Sequence, residues 1–230
     1  YSTALPALYA GLSYLYTDYF TDTAQMRELK GADAVFKLFA HKHQRQFGDD
    51  QIEWLQAYTL GKFFVGTVQV DEMPKFLALL KQQQPDICLI EVGLGGRLDA
   101  TNIIEPDLSI LTTVDLDHQD YLGPDRESIG REKAGVFRTG KPAVIGETDI
   151  PQSVLNYSQD IQAQLLCINT DYHYSVTEAR FSWQGVHSRL DGLPLTAVPL
   201  QNIATALTAL EALALLPSQQ QATKVLTELS

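Results

Sequence analysis

The stretch E91-V-G-L-G-G-R-L-D-A-T-N102 sets a carboxylate, three glycines within four positions, an arginine and an aspartate directly after the apolar run Ile87-Cys88-Leu89-Ile90. A plain turn needs one glycine or two. So many beside charges read as backbone kept bare for close approach, with an acid and a base on either side. Further on, D115-L-D-H-Q-D120 follows a second apolar run. Glu91 and His118 would each stand past the carboxyl end of a strand, where open parallel sheets bind ligands. If the two strands lie side by side, a carboxylate and an imidazole share one crevice with room for water and phosphate oxygens. That donor set suits magnesium or manganese. The competing reading makes Glu91 a helix cap and His118 a loop histidine with a single hydrogen bond.

Next, G123-P-D-R-E-S-I-G-R-E-K-A-G-V-F-R138 concentrates Arg126, Arg131, Lys133 and Arg138 in a chain of net charge −11. Lys133 adjoins Ala134 and Gly135, small residues that let a partner surface come near. A partly buried lysine titrates below its ordinary range, and is then reactive towards carbon dioxide or useful as a point charge on phosphate. The alternative is a helix carrying cations near its own C-terminus. Asn202, shortly after Pro199, suits a helix cap. A helix start also offers free amides and a positive dipole end to a nucleotide.

The elements that must position these residues read clearly from about residue 85 onward. Residues 86–92, 107–114, 141–146 and 164–169 are near-continuous apolar runs, as strands buried on both faces are. Between them, 127–137 and 150–163 have helical spacing, the first with Pro124 and Asp125 as its start signal. The alternation predicts an α/β fold, a mainly parallel sheet flanked by helices. Short alternating pieces over 170–198 predict a small antiparallel addition. Two more helices are expected, over 201–216 up to Pro217 and over 219–229. The first 70 residues are left unassigned, though largely helical in spacing. There, His41 and His43 lack further ligands at metal spacing, and Gly61-Lys62 is followed by Phe63, not the Ser or Thr of a phosphate loop.

Composition bounds the partners. With 45% hydrophobic and 20% charged residues the chain is ordinary globular material. Its acidic balance argues against nucleic acid or anionic membrane as the main partner. No apolar run approaches the ~20 residues of a membrane helix, and no signal peptide is evident. The chain begins at Tyr1, so a true start is expected upstream. Cys88 and Cys167 sit in strand-like runs and are expected to be buried free thiols in a reducing cytoplasm.

Taken together, EVGLGGRLDATNI, DHQDYLGPDRESIGREKAGVFR and the QNIATALTAL helix, in this order, resemble dihydrofolate synthase and folylpolyglutamate synthase, of the Mur ligase superfamily. The likeness runs from about Pro85 to Leu216. It implies a Mur-ligase-like central domain in a cytoplasmic enzyme, monomeric in the family. Such an enzyme joins glutamate to dihydropteroate or a folate, using ATP and magnesium, through an acyl-phosphate intermediate. By the same resemblance Glu91 and His118 match metal ligands. Lys133 matches a lysine that becomes carbamylated, Asn202 an asparagine that contacts ATP, and Leu98, Asp99 and Ala100 the turn that touches the pteridine. Arg97 and Asn102 are expected to brace that turn.

The family's phosphate loop, G-T-x-G-K-G-[ST], is not found upstream of Glu91, where residues 67–74 read TVQVDEMP. The Pro-Gly-Arg strand and the C-terminal ligase domain are also expected to be absent. Residues 71–230 thus read as a partial ATPase domain behind an unfamiliar segment, with little ligase activity of its own. Three readings stand: a truncated or rearranged form of the ligase; an inactive folate- or metal-binding relative, or one half of a split enzyme with a complementing chain; and a ligase acting on a muramyl peptide. The D-A-T-N turn favours folate over the last.

Overall fold

Strand and helix alternate as the apolar runs require. The computed structural model describes residues 63–66, 77–78, 80–81 and 87–229, and the chain divides between Gly93 and Leu94 into two compact units. The expectations on His41, His43 and Gly61-Lys62 lie outside the described residues. In the first unit, β1 (Phe63–Gly66) and β2 (Ile87–Ile90) pair in parallel, Phe63 opposite Ile87 and Gly66 opposite Ile90.

The second unit holds a parallel sheet in the order β3 (Ser109–Leu111), β4 (Pro142–Ile145), β5 (Gln164–Cys167). Parallel neighbours need a crossover, supplied here by α2 (Arg126–Ala134) and α3 (Gln152–Asp160), which pack on each other. A single-turn helix, α1 (Gln119–Leu122), precedes α2. The core joins Leu111, Val114, Ala143 and Ile145 from the sheet side to Ile129, Ala134, Phe137 and Val154 from the helix side.

Several boundaries are tighter than the sequence spacing predicts, each for a local reason. β3 stops at Leu111 while the apolar run continues to Val114. The backbone of Val114 is bonded to side chains instead, its N–H donating to Glu147 Oε2 (2.8 Å) and its carbonyl accepting from Arg126 Nε (2.8 Å). α2 starts where expected, with Asp125 accepting from the Ser128 N–H (2.8 Å). It ends at Ala134, because the amides of Gly135, Val136 and Phe137 tighten into bonds three residues back. α3 opens on Pro151, which offers no side-chain cap. Glu127 of α2 caps it instead, its carboxylate accepting from the Gln152 N–H (3.0 Å) and the Ser153 N–H (2.6 Å).

These backbone donors, Ser153 first, hold the Glu127 carboxyl below its usual range. A carboxyl with a lowered folded pKa contributes stability above its ordinary pKa and loses it as pH falls through the folded value. Glu127→Gln is therefore expected to lower the melting midpoint near pH 7 and to matter little by about pH 2. Equal losses at both pH values would contradict this cap.

The antiparallel addition is a three-stranded sheet, β6 (His173–Val176), β7 (Arg180–Gln184) and β8 (Arg189–Pro194). Its inner face buries Phe181, Trp183, Leu190 and Leu193. The Trp183 indole N–H donates to the Thr208 hydroxyl (3.1 Å) of α4 (Leu200–Ala212). α4 is buried along Ile203–Leu210 and lies against both β4 and β6. The last helix, α5 (Gln219–Glu228), opens on a capping box of Ser218 and Gln221 and packs on β8. Among the described residues no helix is long and apolar enough to cross a membrane. Both cysteines are free; burial pushes the Cys88 thiol up to about 12 and Cys167 up to about 11, so both stay protonated near neutral pH.

Candidate active site

The glycine turn is built around Asp99. One carboxylate oxygen accepts from the Leu94 N–H (3.1 Å), the other from the Thr101 N–H (2.9 Å) and hydroxyl (2.5 Å). Asp99 so caps a 3-10 turn over Ala100–Ile103. Arg97 and Asn102 brace it. The Arg97 N–H donates to the Glu132 carbonyl (2.9 Å) and its Nε to the Glu132 carboxylate (2.9 Å). The Asn102 amide donates to the carbonyls of Arg97 (3.1 Å) and Gly135 (3.1 Å).

Two of the glycines involved are explained by this contact. A Cβ on Gly96 would meet the carbonyl oxygens of Glu132 and Lys133, each at 2.9 Å. A Cβ on Gly135 would lie 2.4 Å from Arg97 Cβ and 2.7 Å from Arg97 Cα. What closely approaches the bare backbone at Gly96 is thus the last turn of α2, part of the protein itself. Out of this braced turn Leu98 projects 79% exposed, while Ala100 is half-buried.

α2 brings Lys133 to the same place. The four cations of the 123–138 segment separate cleanly. Arg126 pairs with Asp149, lies 3.5 Å from Glu147 and donates to the Val114 carbonyl. Arg131 stacks over the Tyr157 ring at 4.6 Å. Arg138 reaches Glu105 and the carbonyls around Asn102. Among the described residues Lys133 forms no such pair. It is half-buried, and burial pushes its ammonium below the ordinary lysine range, with the carboxylate of Asp117 opposing. Self-capping of the helix therefore accounts poorly for Lys133.

His118 stands before α1 in the left-handed region (φ 49°), a strained conformation for a residue with a side chain. Its N–H bonds Asp117 Oδ1 (2.7 Å) and its Nε2 lies 3.5 Å from Asp117 Oδ2. Glu91 follows β2 in the first unit, half-buried. The expected side-by-side pairing of its strand with β3 is not among the described pairings: β2 pairs with β1, and β3 with β4.

Asn202 differs from the capping expectation. The helix begins at Leu200 on Pro199, so Asn202 is its third residue, and its side chain caps nothing. Three side chains dock this end of α4 at the carboxyl end of β4. Gln201 Nε2 donates to the Gly146 carbonyl (2.6 Å), and the Tyr172 hydroxyl donates to the Ile145 carbonyl (2.9 Å) and sits 3.0 Å from the Thr205 hydroxyl.

The sequence reading missed this dock. It also missed the latch in which Glu147 accepts from Val114 and Asp149 while Arg126 spans the same two segments. The only signal in the sequence was a polar residue just beyond each apolar run.

Among the described residues no group of three or more His, Cys, Asp and Glu side chains could hold a metal alone.

No protein-family model matches the chain. It is 51% identical over 136 residues to dihydrofolate synthase/folylpolyglutamate synthase of Escherichia coli K12, covering 59% of this chain and 32% of that protein. With the Haemophilus influenzae protein of the same name the identity is 38% over 180 residues, 75% of this chain and 41% of the relative. The solved structure of the bifunctional Yersinia pestis enzyme complexed with AMPPNP and Mn ion matches with a TM-score of 0.65 at 33% identity, over 100% of this chain and 54% of that one. E. coli FolC in complex with DHPP and ADP matches with a TM-score of 0.63 at 46% identity, over 66% and 37%. The chain thus spans roughly a third to two-fifths of the length of these curated relatives.

Proposed function

We propose, from the kinship of this chain to the central portion of dihydrofolate synthase/folylpolyglutamate synthase, that it carries the acceptor side of an ATP-dependent ligase. The reaction joins glutamate to dihydropteroate or a folate. The observation that carries the reading is Lys133, half-buried without an ion-pair partner among the described residues and depressed in pKa.

The chemistry is coherent. A carboxylate acylates poorly because its leaving group would be oxide. Magnesium-bound ATP supplies a phosphoryl group that turns the acceptor into an acyl phosphate, and the amine of glutamate then displaces phosphate. This chain's residues bind and orient. Leu98, with Asp99 and Ala100 setting its turn, faces the pteridine. Asn202, on a helix end docked to β4, faces the nucleotide. By the same kinship, Glu91 and His118 would each supply a ligand to the divalent cation. A depressed pKa leaves more of Lys133 as free amine, which adds carbon dioxide with loss of one proton and becomes an anionic carbamate. That anion suits a cation that an ammonium would repel.

The test has two parts. The purified chain is incubated with 13C-bicarbonate, and a carbamate resonance is expected that Lys133→Met removes. Dihydropteroate binding is followed by fluorescence, with phosphate release measured in the presence of Mg-ATP and glutamate, omitting each component in turn. A folded chain that binds no dihydropteroate and forms no carbamate overturns the reading.

Leu98 offers a clean check because its exposure uncouples it from folding. Leu98→Asp is expected to weaken dihydropteroate binding by about tenfold or more, in line with ~1.5–3 kcal/mol for a lost apolar contact of this size. Its melting midpoint should stay unchanged. Unchanged affinity would remove this turn from the acceptor site.

A further inference from the structure

We propose that Arg138 is a positioning residue for the acceptor turn, acting through Asn102; the inference rests on the reading of Leu98–Ala100 given above. Arg138 is one of the four cations concentrated in the 123–138 segment. Its guanidinium faces inward, with the side chain only 18% exposed. One terminal nitrogen donates to both the Asn102 carbonyl (2.7 Å) and the Asn102 side-chain oxygen (3.0 Å). The other donates to the carbonyls of Val136 (3.1 Å) and Phe137 (3.2 Å), just beyond α2. Nε pairs with Glu105 (3.0 Å), whose own side chain is 79% exposed.

The geometry makes Asn102 a two-sided joint. With its oxygen held by Arg138, its amide must point at the Arg97 and Gly135 carbonyls, the bonds that fix the turn to the helix end two residues from Lys133. An asparagine free to flip would offer oxygen where those carbonyls need a donor. Arg138 thus selects the amide orientation that seats the turn. The planar fork is essential, since a lysine ammonium cannot serve both sides at these positions.

The variants are Arg138→Lys, with Glu105→Gln as a control that leaves the inner bonds in place. Hydrogen exchange is read at the Asn102 and Ile104 amides, which bond the Asp99 and Thr101 carbonyls (3.0 and 3.1 Å), with Leu155 in α3 as internal reference. Dihydropteroate affinity is read on the same samples. Arg138→Lys is expected to speed exchange at both turn amides and to weaken affinity, each by about tenfold, as loss of hydrogen bonds to a charged group implies. Leu155 exchange should hold, and Glu105→Gln should change neither readout.

Unchanged exchange in Arg138→Lys would overturn the clasp. Faster exchange with unchanged affinity would make Arg138 merely structural and overturn the proposal, as would equal effects from Glu105→Gln. An unsubstituted chain that binds no dihydropteroate overturns the acceptor reading and this role together. It is told apart from failure of the clasp alone because it shows without any substitution. Should Arg138→Lys unfold, Asn102→Asp gives the same test, since it keeps the size of the side chain and removes the amide donor.

Discussion

Gly135→Ala is expected to lower the melting midpoint by several degrees, the largest stability loss from adding a single methyl at the turn. Gly135 has φ −59° and ψ −7°, which alanine adopts freely, so backbone preference is not the obstacle. The obstacle is space: the new Cβ would sit 2.4 Å from Arg97 Cβ and 2.7 Å from Arg97 Cα. The α-carbon cannot rotate away as a side-chain tip can. Either the turn lifts and breaks the bonds from Arg97 to Glu132 and from Asn102 to Gly135, or α2 shifts in the core. Overpacking of this kind costs about 1–3 kcal/mol and occasionally more. In a chain of this size each kcal/mol moves the midpoint by roughly 2–4 °C. Gly140→Ala is the control: φ is +69° but nothing lies within 4 Å, so only the left-handed backbone is penalised, by about 1–2 kcal/mol. A larger loss at Gly140 than at Gly135 would refute the interlock.

Lys133→Met should separate function from stability. Any phosphate release that depends on acceptor and glutamate is expected to fall by about 10²–10³, the usual cost of removing one charge-stabilising group from a reaction site. The melting midpoint should hold or rise near neutral pH. Burial lowers the pKa of Lys133 in the folded chain below its unfolded value. Between those two values the unfolded state holds more protons, so stability rises with pH there. The cost of the buried ammonium is therefore fully present below the folded pKa and fades as pH climbs to the ordinary lysine range, about 10.4. The advantage of methionine should be greatest near neutral pH and shrink by about pH 10–11. A marked drop in midpoint at neutral pH would instead make Lys133 a structural residue.

Much of the fold was legible because apolar runs and helical spacing report burial directly. β2 to β5, α3, α5 and the three antiparallel strands fall within the runs that predicted them, while α2 and α4 each begin one residue earlier, at Arg126 and Leu200. The ends were less legible, for a consistent reason. β3 stops short because side chains 12 and 33 residues away claim the backbone of Val114, and no local pattern encodes partners that distant. α3 borrows its cap from another helix. Asn202 looked like a cap by type, but Pro199 had already started the helix.

The site was legible by residue type rather than by partnership. Glycine and lysine stood out by type, yet sequence alone could not say that the glycines admit α2, nor which of four cations forms neither an ion pair nor a ring contact among the described residues. Arg126, Arg131, Lys133 and Arg138 differ only in what faces them after folding.

The attachments of α2 also constrain how its sequence can change. Glu127 and Arg126 tie its first turn to α3 and to the carboxyl ends of the sheet, and Glu132 and Gly135 tie its last turn to the glycine loop. A helix anchored at both ends has a fixed residue count as well as fixed residues. One inserted residue would swing everything beyond it by about 100° and advance it by about 1.5 Å. Lys133 would leave its half-buried position, and Gly135 would no longer meet Arg97. Substitutions can drift along the outer face of α2, but its length is effectively frozen, whereas the tip at Val186 and His187, exposed and tethered by backbone bonds to Glu211, has no such phase to keep.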